Sequence, residues 1–213
     1  MNISQKYHLH NRASFFVHRN EFDEKLSLEE EIELLFSKQK IQHLTADLPE
    51  WNQEKMKSLS EDEKEKLRKE NKEHVLTLNH TWIKQMMNSE MSFTEKMTLF
   101  WHGHFACRTV DNAYHTIEMN NLLRTNALGN FRDLLYAVAK SASMIDYLHL
   151  RQNKKAKPNE DFARELCELF TLGRDVDYTE NDVTEIARAF TGWGTDNQGK
   201  FFFYTDQHVS GSK

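Results

Sequence analysis

The sequence predicts a mainly α protein: an irregular multi-helix bundle that ends in a β-hairpin. Three observations predict it. Only two Pro and seven Gly occur in 213 residues, too few for a chain of many short strands. Helix start signals recur, since Ser27 with Glu30, Ser60 with Glu63, Ser92 with Glu95 and Thr179 with Asp182 all have capping-box spacing. Near the C-terminus, "GWGTDNQGKFFFY" sets turn residues between aromatic segments, the pattern of a hairpin.

After Ser27, Leu28, Ile32, Leu35 and Phe36 fall at three-to-four spacing, one face of a helix. Residues 54–73 carry charges of both signs and read as a solvated helix laced with local ion pairs. An apolar stripe then appears (Leu67, Val75, Leu78, Trp82, Met86), so a long charged helix over 60–88 starts in solvent and ends on the core. Residues 93–106 predict a central helix, with Met97, Leu99, Phe100, Trp101 and Phe105 covering much of its circumference. A helix over 110–128 ends where Gly129 can take a left-handed C′ conformation. Asn130 can cap a helix over 130–148, and "RQNKKAKPN" reads as an exposed basic loop. Helices over 159–172 and near 180–191 precede a hairpin over 192–205.

A lone hairpin is marginal by itself, so residues 1–213 are expected to be one helical domain forming the N-terminal part of a longer one. The net charge of −5 lacks the basic footprint of a nucleic-acid binder. Cys107 and Cys167 form neither a disulfide framework nor a zinc set. No window has the apolar length of a membrane span, and no signal peptide opens the chain, which as written reads as cytoplasmic.

Four stretches, "FWHGHF" (100–105), "LGNFRDLLYAVAKSASMIDYL" (128–148), "PNEDFARELCELFTLG" (158–173) and "YTENDVTEIARAFTGW" (178–193), occur in one order, after an early "HLHNRASF" (8–15). Together they resemble the bacterial family known as domain of unknown function 1800. The resemblance implies a fold and candidate residues without a reaction. It also implies a chain about twice this length, frequent export, and a sulfatase-like partner encoded by a neighbouring gene. Two departures stand out: His208 is followed by Val209 where the family usually has Asp, and the export signal is absent.

Within "NEDFARELCELFTLG" (159–173), Phe162, Leu166, Leu169 and Phe170 form the apolar stripe. Glu160, Arg164 and Glu168 succeed one another at four-residue steps, a surface ion-pair ladder, and Asn159 can cap the start. Cys167 falls off the stripe. Glu165 lies on its margin, where a carboxylate needs an Arg, a metal or a proton. Two readings stay open: an inter-helix link to Arg188, Arg124 or Arg132, or a metal or general-acid site built with Glu168 and His104.

His102 and His104 sit about 200° apart around a helix axis, so they cannot chelate one ion as a pair. His104 shares a face with Met97, Phe100 and Trp101, toward the core; a site for a divalent metal would need His102 or His104 to meet His115, His208 or the acids in space. Trp193, between glycines, is either core or a stacking surface for a sugar or a peptide. The candidate sets are therefore Glu165, Glu168 and Arg188 for catalysis; His102, His104 and His208 for a metal; and Trp193, Arg164 and Asn159 for binding. No complete catalytic constellation is present, which favours a non-enzymatic binding or assembly scaffold. The alternatives are a metal-assisted hydrolase of an envelope polymer or ester, and a carbohydrate-binding module.

Overall fold

A computed structural model describes residues 3–15, 26–37, 41–48, 52–87, 92–107, 112–174 and 176–211. Its helices are α1 (Ile3–Ala13), α2 (Leu28–Ser37), α3 (Gln53–Ser58), α4 (Glu61–Met87), α5 (Ser92–His104), α6 (Ala113–Asn126), α7 (Phe131–Ala139), α8 (Ala142–Tyr147), α9 (Asp161–Glu165) and α10 (Glu180–Ala189). Strands β1 (Trp193–Thr195) and β2 (Phe201–Phe203) form the expected antiparallel hairpin, with Trp193 opposite Phe203. The predicted ends of two helices, at 88 and 110, lie outside the described residues.

Three of the four capping boxes form. Ser27 and Glu30 exchange backbone-to-side-chain bonds of 2.7 and 3.1 Å, Ser60 and Glu63 of 2.8 and 3.3 Å, and Thr179 and Asp182 of 2.7 and 3.2 Å. The fourth does not. Ser92 already lies inside α5, and Glu95 turns inward to Arg124.

Helix α6 occupies the centre, against α4, α5, α7 and α8. Its buried Met119 and Leu123 join Phe105, Leu134, Val138, Met144, Ile145, Leu150, Phe162 and Phe170 in the main core. The buried face of α5 is only partly the aromatic one predicted: Trp101 and Phe105 pack on the main core, but Thr94, Glu95 and Thr98 are buried whereas Leu99 and Phe100 are exposed. Polar groups of α4 and α6 meet that face, so packing overrides its apolar pattern. Gly129 is absent from the left-handed glycines, because Ala127 ends α6 in helical conformation and the Gly129 amide closes a turn on the Asn126 carbonyl.

Three predicted helices are interrupted, the first over 54–73 at Leu59, whose extended backbone separates α3 from α4. Residues 130–148 split into α7 and α8 at Ser141, whose extended backbone (ψ 142°) and hydroxyl cap the Met144 amide. Asn130 caps α7 as expected. The 159–172 helix changes after α9 into a π-helix over Leu166–Thr171. Winding one residue wider rotates the rest of the helix about its axis, so Leu169 faces solvent and Cys167 is buried, the reverse of the α-helical wheel. Gly173 does close this end with positive φ (95°).

The basic loop after α8 is exposed over residues 154–158, whereas Asn153 is buried. Its side chain donates to the Ala187 carbonyl and accepts from the Asn159 amide, at 2.8 and 3.0 Å. Its own carbonyl accepts from Gly192. One residue thus ties α10, the start of α9 and the hairpin together, its side chain supplying the donor and the acceptor for the first two and its backbone carbonyl the third contact.

Candidate functional site

In the acidic helix, Arg164 reaches Glu160 at 3.1 Å and Glu168 at 3.8 Å, so the four-residue ladder forms. It also meets Glu180 of α10 at 2.7 Å, and Glu180 and Glu160 together raise the guanidinium's pKa. Glu168 is held further by Arg174 at 2.9 Å. Asn159 caps the turn through its side-chain oxygen, which accepts from the Asp161 amide. These charges bind one another at the surface, where each pair contributes well under about 1 kcal/mol.

Glu165 is half-buried, and none of its three predicted arginine partners goes to it. Arg188 pairs with Glu185 on its own helix at 2.6 Å, Arg124 with Glu95, and Arg132 lies over the Tyr136 ring. The inter-helix acid–arginine link does exist, but at Glu95. Arg124 Nε lies 2.7 Å from Glu95 Oε1 and its Nη2 lies 3.1 Å from Oε2, with both side chains fully buried. Trp82 Nε1 and Gln85 Nε2 donate to the same carboxylate at 2.7 and 2.8 Å. The sequence signal is present, since Ser92 and Glu95 have capping spacing, but it points to the helix end.

The three predicted histidine ligands go to different elements. His104 Nε2 bonds the Phe170 carbonyl at 3.1 Å, satisfying the end of the π-helix. The His102 ring leans on Trp82, with centroids 5.3 Å apart. Much of the residue faces solvent, yet desolvation of the ring there lowers its pKa. His208 Nδ1 bonds the Thr191 carbonyl at 2.8 Å beside the hairpin. Among the described residues no three His, Cys, Asp or Glu side chains converge in an arrangement that could hold a metal ion. Burial pushes the Cys107 thiol up to about 11 and raises Cys167 as well, so neither is an activated thiolate.

A fourth histidine, His115, enters the sequence reading only as a residue that folding would have to bring to the others. It is buried beside Asp146, with Nδ1 3.8 Å from a carboxylate oxygen, and Asp146 also pairs with Arg151. Ser143 is adjacent, but its hydroxyl donates to the His115 carbonyl and not to the ring, so no nucleophile relay forms. Burial holds His115 below the ordinary histidine value of 6.5, against the opposing pull of Asp146 and Glu118, with Arg151 and Lys200 adding to the depression. The unfolded chain therefore takes up the proton first, so stability is full above about pH 7 and falls as pH drops below about 6.5. Urea titrations from pH 7.5 to 5 are expected to show a slope of at most about 1.4 kcal/mol per pH unit from this group, which His115→Gln flattens. An unchanged slope in that variant refutes the assignment.

Trp193 packs on the core between Phe190 and Phe201, ring centroids 4.7 and 4.9 Å away. Beside it lies a cleft of about 390 Å³ among α6, the α7–α8 junction and the hairpin turn, with Lys140, Lys200, Glu118, Ser143 and Phe201 in its lining. Residues 41–48 complete one edge, because Asn121 accepts from the Leu44 amide and donates to its carbonyl, both at 2.8 Å. Sequence reasoning misses this cleft, whose walls come from four separate stretches. No helix among the described residues is long and apolar enough to cross a membrane.

The family described as "Protein of unknown function (DUF1800)" matches this chain over residues 8–213. No curated protein and no solved structure matches.

Proposed function

This chain belongs to the DUF1800 family of proteins of unknown function, and we propose that it is a non-enzymatic binding or assembly scaffold. The observation that carries this reading is how fully the reactive-looking groups are engaged in structure. Glu168 and Arg164 are tied into one surface network, Arg188 to Glu185, His104 to a helix end and His208 to Thr191. A general acid must keep its working proton open to the ligand, and a metal needs several ligands side by side, whereas His104 and His208 go to different elements. The accessible feature is instead the cleft beside the hairpin, of a size that suits small-molecule sites.

The test is turnover. The purified protein, given divalent cations and a panel of chromogenic esters, phosphates, sulfates and glycosides, is expected to give no rate above buffer. A rate that disappears in Glu165→Gln or His104→Ala, with an unchanged circular-dichroism spectrum, overturns the scaffold reading and restores the hydrolase.

A further inference from the structure

The cleft has a definite chemistry, and this inference rests on the binding role proposed above. Its hydroxyl protons are already committed. Ser141 donates to the Val138 carbonyl at 2.7 Å, Ser143 to the His115 carbonyl at 3.0 Å, and Thr125 to the Asn121 carbonyl at 2.8 Å. Thr125 therefore accepts from His43 Nε2, 3.0 Å away, which fixes the proton on that ring nitrogen. These oxygens can offer a ligand only lone pairs. The second oxygen of Glu118 adds another acceptor, since the first takes Lys200 at 2.6 Å. A matching ligand brings many donors, as a polyol does.

The charge on the rim adds the second requirement. Lys200 is neutralised by Glu118. Lys140 has no carboxylate partner among the described residues; its ammonium sits over the Phe201 and Trp193 rings at 5.4 and 6.0 Å. Those rings hold the cation in place without cancelling its charge. With Lys140, Lys200 and Glu118 as the charged lining, the cleft carries one net positive charge, which repels an amine and attracts an anion. Met119, Leu122 and Phe201 supply apolar wall for the C–H face of a ring.

We infer that this cleft binds a hydroxyl-rich organic acid of the sugar-acid class, its carboxylate on Lys140 and its hydroxyls on the acceptor-only floor. The ligand is either a free sugar acid or a residue of an acidic polysaccharide.

Calorimetric titration with sodium galacturonate and with the neutral methyl galactoside tests this, with Trp fluorescence as a second readout because Trp193 adjoins Phe201. Galacturonate is expected to bind saturably and at least about tenfold more tightly than the galactoside, the worth of one charge-assisted contact. Lys140→Met should abolish that preference, while Lys140→Arg should keep it. Lys140 is exposed, so both variants are expected to melt like the parent protein. Trigalacturonate binding more tightly than the monomer assigns the site to a polysaccharide, and equal affinity assigns it to the free acid; either result upholds the inference. Equal binding of galacturonate and galactoside overturns the acid class while leaving the scaffold reading intact. No saturable binding of either, or an unchanged preference in Lys140→Met, overturns the site.

Discussion

Glu95→Ala is expected to destabilise the protein by about 3–5 kcal/mol, a large part of a domain's usual margin. The change leaves Arg124 fully buried without its counter-ion and strands the donors of Trp82 and Gln85. Four helical positions depend on one carboxylate, because Asn121 also accepts from Arg124 Nη1 at 2.8 Å and carries the 41–48 segment with it. Loosening Arg124 should therefore reach the rim of the cleft. Removing both charges is a different experiment. The pair Glu95→Met with Arg124→Leu fills the space and buries no lone ion, so it should recover the part of the loss due to Arg124, while the Trp82 and Gln85 donors still lack this acceptor. Urea unfolding of the two singles and the double closes the cycle. A cost below about 1 kcal/mol for Glu95→Ala means the buried pair does not hold α4, α5 and α6 together.

The second large effect is expected at Gly192. Its φ is +79°, a conformation that costs a side chain about 1–2 kcal/mol. A Cβ there would also lie 2.4 Å from the Tyr204 carbonyl oxygen, which is backbone and cannot rotate away. The same residue donates to the Asn153 carbonyl at 3.0 Å and accepts from the Tyr204 amide at 2.7 Å, so it fastens both ends of the hairpin. Gly192→Ala should release the hairpin from the core, seen as a red-shifted Trp193 emission and rapid proteolysis between 192 and 208. Gly103→Ala is the control. That glycine lies within α5 with open space around it, and alanine should stabilise by roughly 0.5–1 kcal/mol. If the two variants behave alike, the tight approach at Gly192 is not what seats the hairpin.

The differences between sequence and structure share a cause. A wheel for 159–172 assumes 3.6 residues per turn, and the π-helix breaks that assumption at Leu166, inverting Cys167 and Leu169. The apolar spacing of 130–148 runs straight through Ser141, although a serine there can equally start a helix as continue one. Glu95 takes the buried link to an arginine considered for Glu165: the acid predicted at a helix end is fully buried, while Glu165 is half-buried, as its place on the margin of the apolar stripe implies.

The features legible in the chain alone are local ones. Three capping boxes, the Asn130 cap, the Glu160–Arg164–Glu168 ladder and the aromatic hairpin all depend on partners a few residues apart, whose geometry the backbone period sets. Which polar groups are buried together emerges only when the helices pack. Glu95 and Arg124 are 29 positions apart, His104 and Phe170 are 66 apart, and the cleft gathers residues from His43 to Phe201. Such pairings depend on how helices rotate and slide against one another. Side-chain packing fixes that register across the whole core, and no window of sequence contains it.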